Sequence, residues 1–170
     1  MSRIHAVPAL LAALCTLAAP ATVRAAAPAP TLDLMFRAHV LLGEQRDVGQ
    51  TPRGSRSLVR ITGGTFEGPM LRGTVVPGGW DWQLHGAGGC AELHADYMLK
   101  AADGTVFNVV NHGKMCPGPD GTRAPIYSMP TFEAPLGPLT WLNGGAYVAT
   151  IEGGTDPAHP AVDIAFYKVR

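Results

Sequence analysis

This chain has few long apolar runs, no excess of charge of either sign, and little cysteine. Each scarcity excludes something. Lys plus Arg and Asp plus Glu number 13 each, so the formal net charge is zero. No basic stripe interrupts that balance, which argues against nucleic acid and against anionic membrane surfaces as partners. The longest apolar run, residues 6–17, is too short to span a bilayer as a helix. There are three cysteines and no CxxC pair. A Gly-x-Ser-x-Gly elbow, a P-loop and a Rossmann fingerprint are also missing, so no nucleotide or organic cofactor is implied. Long breaker-free stretches are missing as well. Gly (21) and Pro (15) recur throughout, which leaves no room for long helices and favours many short strands.

The first 25 residues read as an export signal. Arg3 and His5 form a weakly basic start, residues 6–17 an apolar stretch, and Pro20 ends it. Val23-Arg24-Ala25 then offers the small and aliphatic residues a signal peptidase reads. An uncleaved N-terminal anchor is the alternative. Residues 26–31 (AAPAPT) read as a short extended tether, and residues 32–170 as one domain. Loss of Arg3 and Arg24 leaves 11 basic against 13 acidic side chains, a net charge near −2. The expected location is periplasmic or extracellular.

Strands are expected near residues 31–42, 57–61, 65–77, 80–85, 91–99, 105–111, 126–133, 143–152 and 162–169. Gly63-Gly64 and Gly78-Gly79 read as turns. The clearest hairpin turns at Asp103-Gly104, where Gly accepts the positive φ that the turn needs. Before it, Ala91, Leu93, Ala95, Tyr97 and Leu99 share one face, and Glu92, His94, Asp96 and Met98 the other. Pairing through this turn brings Cys90 opposite Met115 or Cys116. Cys90 and Cys116 are the two cysteines that remain after the leader, and an oxidising compartment favours their pairing. A disulfide there closes a loop of 26 residues, stabilising the fold by roughly 3–4 kcal/mol. Free thiols are the alternative.

Several short motifs occur in a characteristic order: Val48-Gly49-Gln50-Thr51-Pro52, Gly54, Gly63-Gly64-Thr65-Phe66-Glu67-Gly68-Pro69, Gly73 and Pro77-Gly78-Gly79-Trp80-Asp81-Trp82. Asp96-Tyr97, Asp103-Gly104, Asn111-His112-Gly113, Phe132-Glu133 and Trp141-Leu142-Asn143 follow. In this the chain resembles the DUF3237 (UPF0311) family of small β-barrel proteins, from about Phe36 to Val169. Trp80 stands where the family usually has a small residue, and Asp96 where an arginine often precedes the tyrosine. The resemblance implies an all-β fold, a single antiparallel barrel of about eight strands similar to calycin or allene-oxide-cyclase barrels. Such closure removes strand edges, and a barrel of this size holds one small ligand.

Three constellations carry candidate chemistry. On a strand, Asp81 and Gln83 face one way, Trp80 and Trp82 the other. An inward Asp81 would have a raised pKa and serve as acid, base or ligand anchor; otherwise it caps backbone amides near Gly78-Gly79. His94 with Glu92 and Asp96 suggests a tuned acid–base pair, or an outward polar face. Two ligands at i and i+2, even with His85 or His112 nearby, are too few for a metal site. Asn111 and His112 with Glu133 read as the lip of a barrel mouth, or as corner hydrogen bonding. Tyr97 and Trp141 line the pocket or fill the core. The candidate catalytic residues are therefore Asp81, His94 and Glu133. The candidate ligand contacts are Trp82, Asp96, Tyr97, Asn111 and Trp141. The leading expectation is an exported barrel that binds a small organic molecule. The alternative is a cofactor-independent isomerase, cyclase or lyase on the same barrel. A homodimer is left open.

Overall fold

The computed structural model describes residues 26–170 apart from 119, 121, 123 and 157. The expected export signal, residues 1–25, lies outside the described residues. Nine strands follow: β1 Leu32–Thr51, β2 Gly54–Glu67, β3 Gly73–Val75, β4 Trp80–His85, β5 Ala91–Ala101, β6 Val106–Met115, β7 Ile126–Glu133, β8 Tyr147–Gly153 and β9 Ala161–Val169. All pairings are antiparallel. Both β3 and β4 lie between β2 and β5, so together they fill one place in the ring. β1 pairs with β2 on one side and β9 on the other. The sheet therefore closes as a barrel with eight strand positions, as the resemblance implies.

The Asp103-Gly104 turn behaves as its sequence requires. Gly104 adopts φ 90°, and its amide donates to the Ala101 carbonyl at 2.9 Å. The Asp103 carboxylate accepts from the Thr105 amide at 2.9 Å. That hydrogen bond, with others from Thr105, lowers its pKa. β5 and β6 then run in unbroken register with Ala91 opposite Met115. One step further, Cys90 and Cys116 form a disulfide with a Cα–Cα distance of 4.2 Å.

Four expected boundaries change. Gly63 and Gly64 are not turn residues but lie inside β2, opposite Leu41 and Val40. Their φ values of 141° and 132° accompany a register shift in β1 at Leu41/Leu42. A side chain at Gly64 would collide with the His39 carbonyl. These glycines bend the strand at a barrel corner. The expected strand over residues 65–77 is broken after Glu67, because Gly68 packs directly on the Met35–Phe36 backbone and Pro69 has no amide for a ladder. β1 continues to Thr51 as one arm of a long hairpin with β2. At the other end, residues Thr140–Gly144 form a 3-10 turn, so β8 starts only at Tyr147.

The core has two parts. All five phenylalanines (Phe36, Phe66, Phe107, Phe132 and Phe166) are buried together with Tyr147. Their neighbouring ring centroids lie 4.7–6.4 Å apart, the range of favourable aromatic packing. The 3-10 turn covers this half with Leu142, while Tyr147 Oη donates to the Leu142 carbonyl at 3.0 Å. Asn143 fixes the turn by bonding both the amide and the carbonyl of Ala134, at 2.7 and 2.9 Å. Toward the disulfide, the inward positions turn aliphatic and polar.

Candidate functional site

The half of the barrel nearer the disulfide is hollow. A cavity of about 130 Å³ is walled by aliphatic side chains including Val40, Ile61, Leu93, Ile126, Ile151 and Ile164. Asp81, Gln83, Tyr97 and Asn111 supply its polar side-chain groups, and no Lys, Arg or His lines it among the described residues. Strand alternation explains the arrangement. β5 turns Ala91, Tyr97 and Leu99 inward and leaves Glu92, His94, Asp96 and Met98 exposed. The cross-strand register sets Asp81 beside Ala95, and Ala95 beside Asn111. The small Ala95 thus lies between two polar side chains, with Tyr97 one inward step along β5.

Asp81 accepts from Gln83 Nε2 at 2.8 Å and from the His94 amide at 3.1 Å. It therefore caps a neighbouring strand rather than the Gly78-Gly79 turn. Burial pushes its carboxyl pKa up; these two hydrogen bonds and the nearby His94 oppose the rise without cancelling it. Tyr97 is buried to 2% exposure. Burial, then the charge of Asp81, raises its phenol above the ordinary range. Neither Tyr97 Oη nor Asn111 Oδ1 has a hydrogen-bond partner among the described residues, and Ser128 Oγ is in the same state. Leaving such a group unpaired costs about 1–3 kcal/mol; Tyr97 and Asn111 both line the cavity, with these two atoms buried at its edge.

The structure brings together Asp81, Tyr97 and Asn111 and separates the remaining expected site residues from them. His94 and Asp96 face outward because Ala95 and Tyr97 between and beside them face in. Glu133 is outward for the same reason, following the buried Phe132 on β7. These three side chains stand on the outer face, apart from the cavity. Trp82 is 42% exposed on the outer surface, with the Arg56 guanidinium 5.9 Å from its ring. There it neighbours His94, whose ring lies 4.2 Å from that of His112. Trp141 belongs to the 3-10 turn at the filled end, under the Lys168 ammonium at 5.2 Å. Two polar elements of the interior escaped the sequence reading. Ser128 is buried on β7, and Ser57 Oγ meets His85 Nε2 at 3.1 Å next to Gln83. Alternation around Val59 and Ile61 marks Ser57 as inward; nothing in the sequence alone pairs it with His85.

Among the described residues, no group of three or more His, Cys, Asp or Glu is placed to hold a metal ion. No helix among them is long and apolar enough to cross a membrane.

Comparison with known proteins agrees with the barrel. A curated UPF0311 protein of Rhodopseudomonas palustris is 33% identical over 86 residues, which is 49% of this chain and 56% of that protein. A hydroalkoxylation enzyme of Penicillium herquei is 32% identical over 75 residues, 44% of this chain and 50% of that protein. The chain thus matches only about half the length of these curated relatives. Among solved structures, a β-barrel-like protein of Acinetobacter baumannii superposes with a TM-score of 0.74 at 25% identity, covering 84% of this chain and 98% of that one. An enzyme of Penicillium herquei superposes at 0.66 with 21% identity, covering 87% and 100%, a likeness of fold. The family model for DUF3237, a protein of unknown function, matches residues 30–169, and the chain belongs to that family.

Proposed function

We propose that the hollow half of the barrel binds a small, partly apolar organic molecule. The observation that carries this reading is the cavity wall itself. It is aliphatic except for a cluster in which Tyr97 Oη and Asn111 Oδ1 lack partners and Asp81 is held in a desolvating site. A concave, largely apolar space with a few convergent polar groups is the usual form of a ligand site. The disulfide and the leader-like first 25 residues support export as the setting. To test the reading, a fragment library is screened against the oxidised protein by NMR, following the side-chain amide of Asn111. Binders should shift that signal and those of Ala95 and Ile126. Shifts confined to the outer face around Trp82 and His112 would refute it.

A second reading has its own support. A buried carboxyl whose pKa is raised by desolvation, on a cavity wall that also carries a tyrosine, is suited to holding and returning a proton. That suits a cofactor-independent isomerase, cyclase or lyase with Asp81 as the acid–base group. A relative named for hydroalkoxylation, the addition of an alcohol O–H across a carbon–carbon double bond, fits the same requirement: one proton leaves oxygen and one reaches carbon. Turnover of an unsaturated alcohol that disappears in Asp81→Asn while binding persists would favour this reading over simple binding.

A further inference from the structure

We propose that the occupant of the hollow half is an uncharged hydroxyl compound of single-ring size, a phenol or cyclic alcohol, whose hydroxyl lies over Ala95 among Asp81, Tyr97 and Asn111. This rests on the reading of that half as a small-molecule site and narrows it to a chemical class.

The pairing requirements select the group. Asn111 Oδ1 is an acceptor without a donor, and Tyr97 Oη is a hydroxyl without any partner. A ligand hydroxyl donates one hydrogen and accepts another, so it is the one uncharged group whose single oxygen, set between them, would satisfy both. A ketone or ether can accept from Tyr97 but leaves Asn111 unpaired. A carboxylate would meet the Asp81 carboxyl in a cavity that no cationic side chain lines among the described residues, and like charges held in a desolvated site repel strongly. An ammonium would have to give up its hydration for one carboxylate that already receives two hydrogen bonds.

Strand register sets the three residues around one spot. Asp81, Ala95 and Asn111 stand in one cross-strand row. Adjacent strands lie about 4.8 Å apart, so the two polar residues flank Ala95 across about 10 Å, and Tyr97 follows on the same face about 7 Å along β5. A methyl group at the centre of this triangle leaves the space a larger side chain would fill. Size sets the rest of the ligand. A cavity of about 130 Å³ is close to the roughly 150 Å³ apolar cavity that accommodates benzene. One ring fits; fused rings require the walls to move.

The test uses the oxidised protein and four probes of similar size: phenol, cyclohexanol, toluene and benzoate, titrated calorimetrically at neutral pH. Phenol or cyclohexanol should bind about tenfold or more tightly than toluene, and benzoate should not bind. Tyr97→Phe should bring the hydroxyl-to-toluene ratio near one while toluene binding persists, and Asn111→Leu should act in the same direction. Ala95→Leu, which fills the space itself, should weaken all the binders. Equal affinity for phenol, cyclohexanol and toluene in the unmodified protein, or tighter binding of benzoate, overturns the hydroxyl assignment while leaving a ligand site in place. Failure of all four probes to bind overturns this inference, and the fragment screen then decides separately whether the site reading stands. Unchanged binding in Ala95→Leu puts the probes elsewhere and overturns the inference even if the hydroxyl preference is seen.

Discussion

Phe36, Phe66, Phe107, Phe132 and Phe166 fill one half of the barrel, whereas the other half is walled by aliphatic side chains around a cavity of about 130 Å³. The strands are the same strands, and Tyr97 lies near the divide. In the filled half, Tyr147 finds carbonyl acceptors for its hydroxyl in the covering turn. In the hollow half, Tyr97 has none among the described residues. The contrast separates two uses of a buried tyrosine. Paired, it closes the core; unpaired on a cavity wall, it leaves a polar group without compensation. Aromatic packing is concentrated at one end, and unpaired polar groups with a cavity at the other.

The largest expected effect tests that division directly. Phe36→Ala, at a residue with 0% exposure packed on three other rings, should cost about 3–5 kcal/mol in urea unfolding. Ile151→Ala, on the cavity wall, should cost less than about 2 kcal/mol because its side chain already borders space. Equal costs would remove the distinction between the halves. Next in size is the disulfide. Replacing both Cys90 and Cys116 by Ser should cost about 3–4 kcal/mol by loop entropy. Native-state amide exchange should then quicken around β4, β5 and β6 near the cavity before it does so in the aromatic half. Uniform acceleration would show that the two halves open together.

Asp81→Asn is expected to fold nearly as the parent does and to weaken ligand binding by roughly one to three orders of magnitude, on the order of 1.4–4 kcal/mol. It also carries a pH signature. The folded-state carboxyl is raised above its ordinary value of 3.8, so the folded protein retains a proton that the unfolded chain has released. This group's contribution to stability therefore falls as pH rises from 3.8 through the raised value, and the loss is relieved on acidification. Thermal melts across that window should show a shallower pH slope in Asp81→Asn. An unchanged slope, with binding intact, would return Asp81 to a purely structural place. The smallest effect has the less intuitive sign. Tyr97→Phe removes a buried hydroxyl without a partner and should stabilise the empty protein by about 1 kcal/mol. A lower melting temperature would show that the hydroxyl is already satisfied.

Much of the fold was legible because local chemistry constrains it. The Asp103-Gly104 turn sets the β5–β6 register, and that register carries Cys90 to Cys116. The alternation along residues 91–99 separated an apolar from a polar face, and the apolar one is the interior. Gly63 and Gly64 depart from the turn expectation for a physical reason: turn and strand-corner glycines both serve positive φ, and the chain alone does not distinguish them. His94, Asp96 and Glu133 were candidates because their chemistry suits a site, yet each alternates with a residue that the barrel buries.

The sequence by itself determined the strand-rich class, the hairpin, the disulfide pairing and the grouping of Asp81 with Gln83 on one strand face. These follow from backbone conformation and period-two alternation, which act over a few residues. Only the tertiary structure decided which face of β4 turns inward, that the phenylalanines gather at one end, and that Asp81, Tyr97 and Asn111 line one cavity beside Ala95. Those facts depend on ring closure, which sets the register between strands distant in the chain and so determines which side chains share the enclosed space.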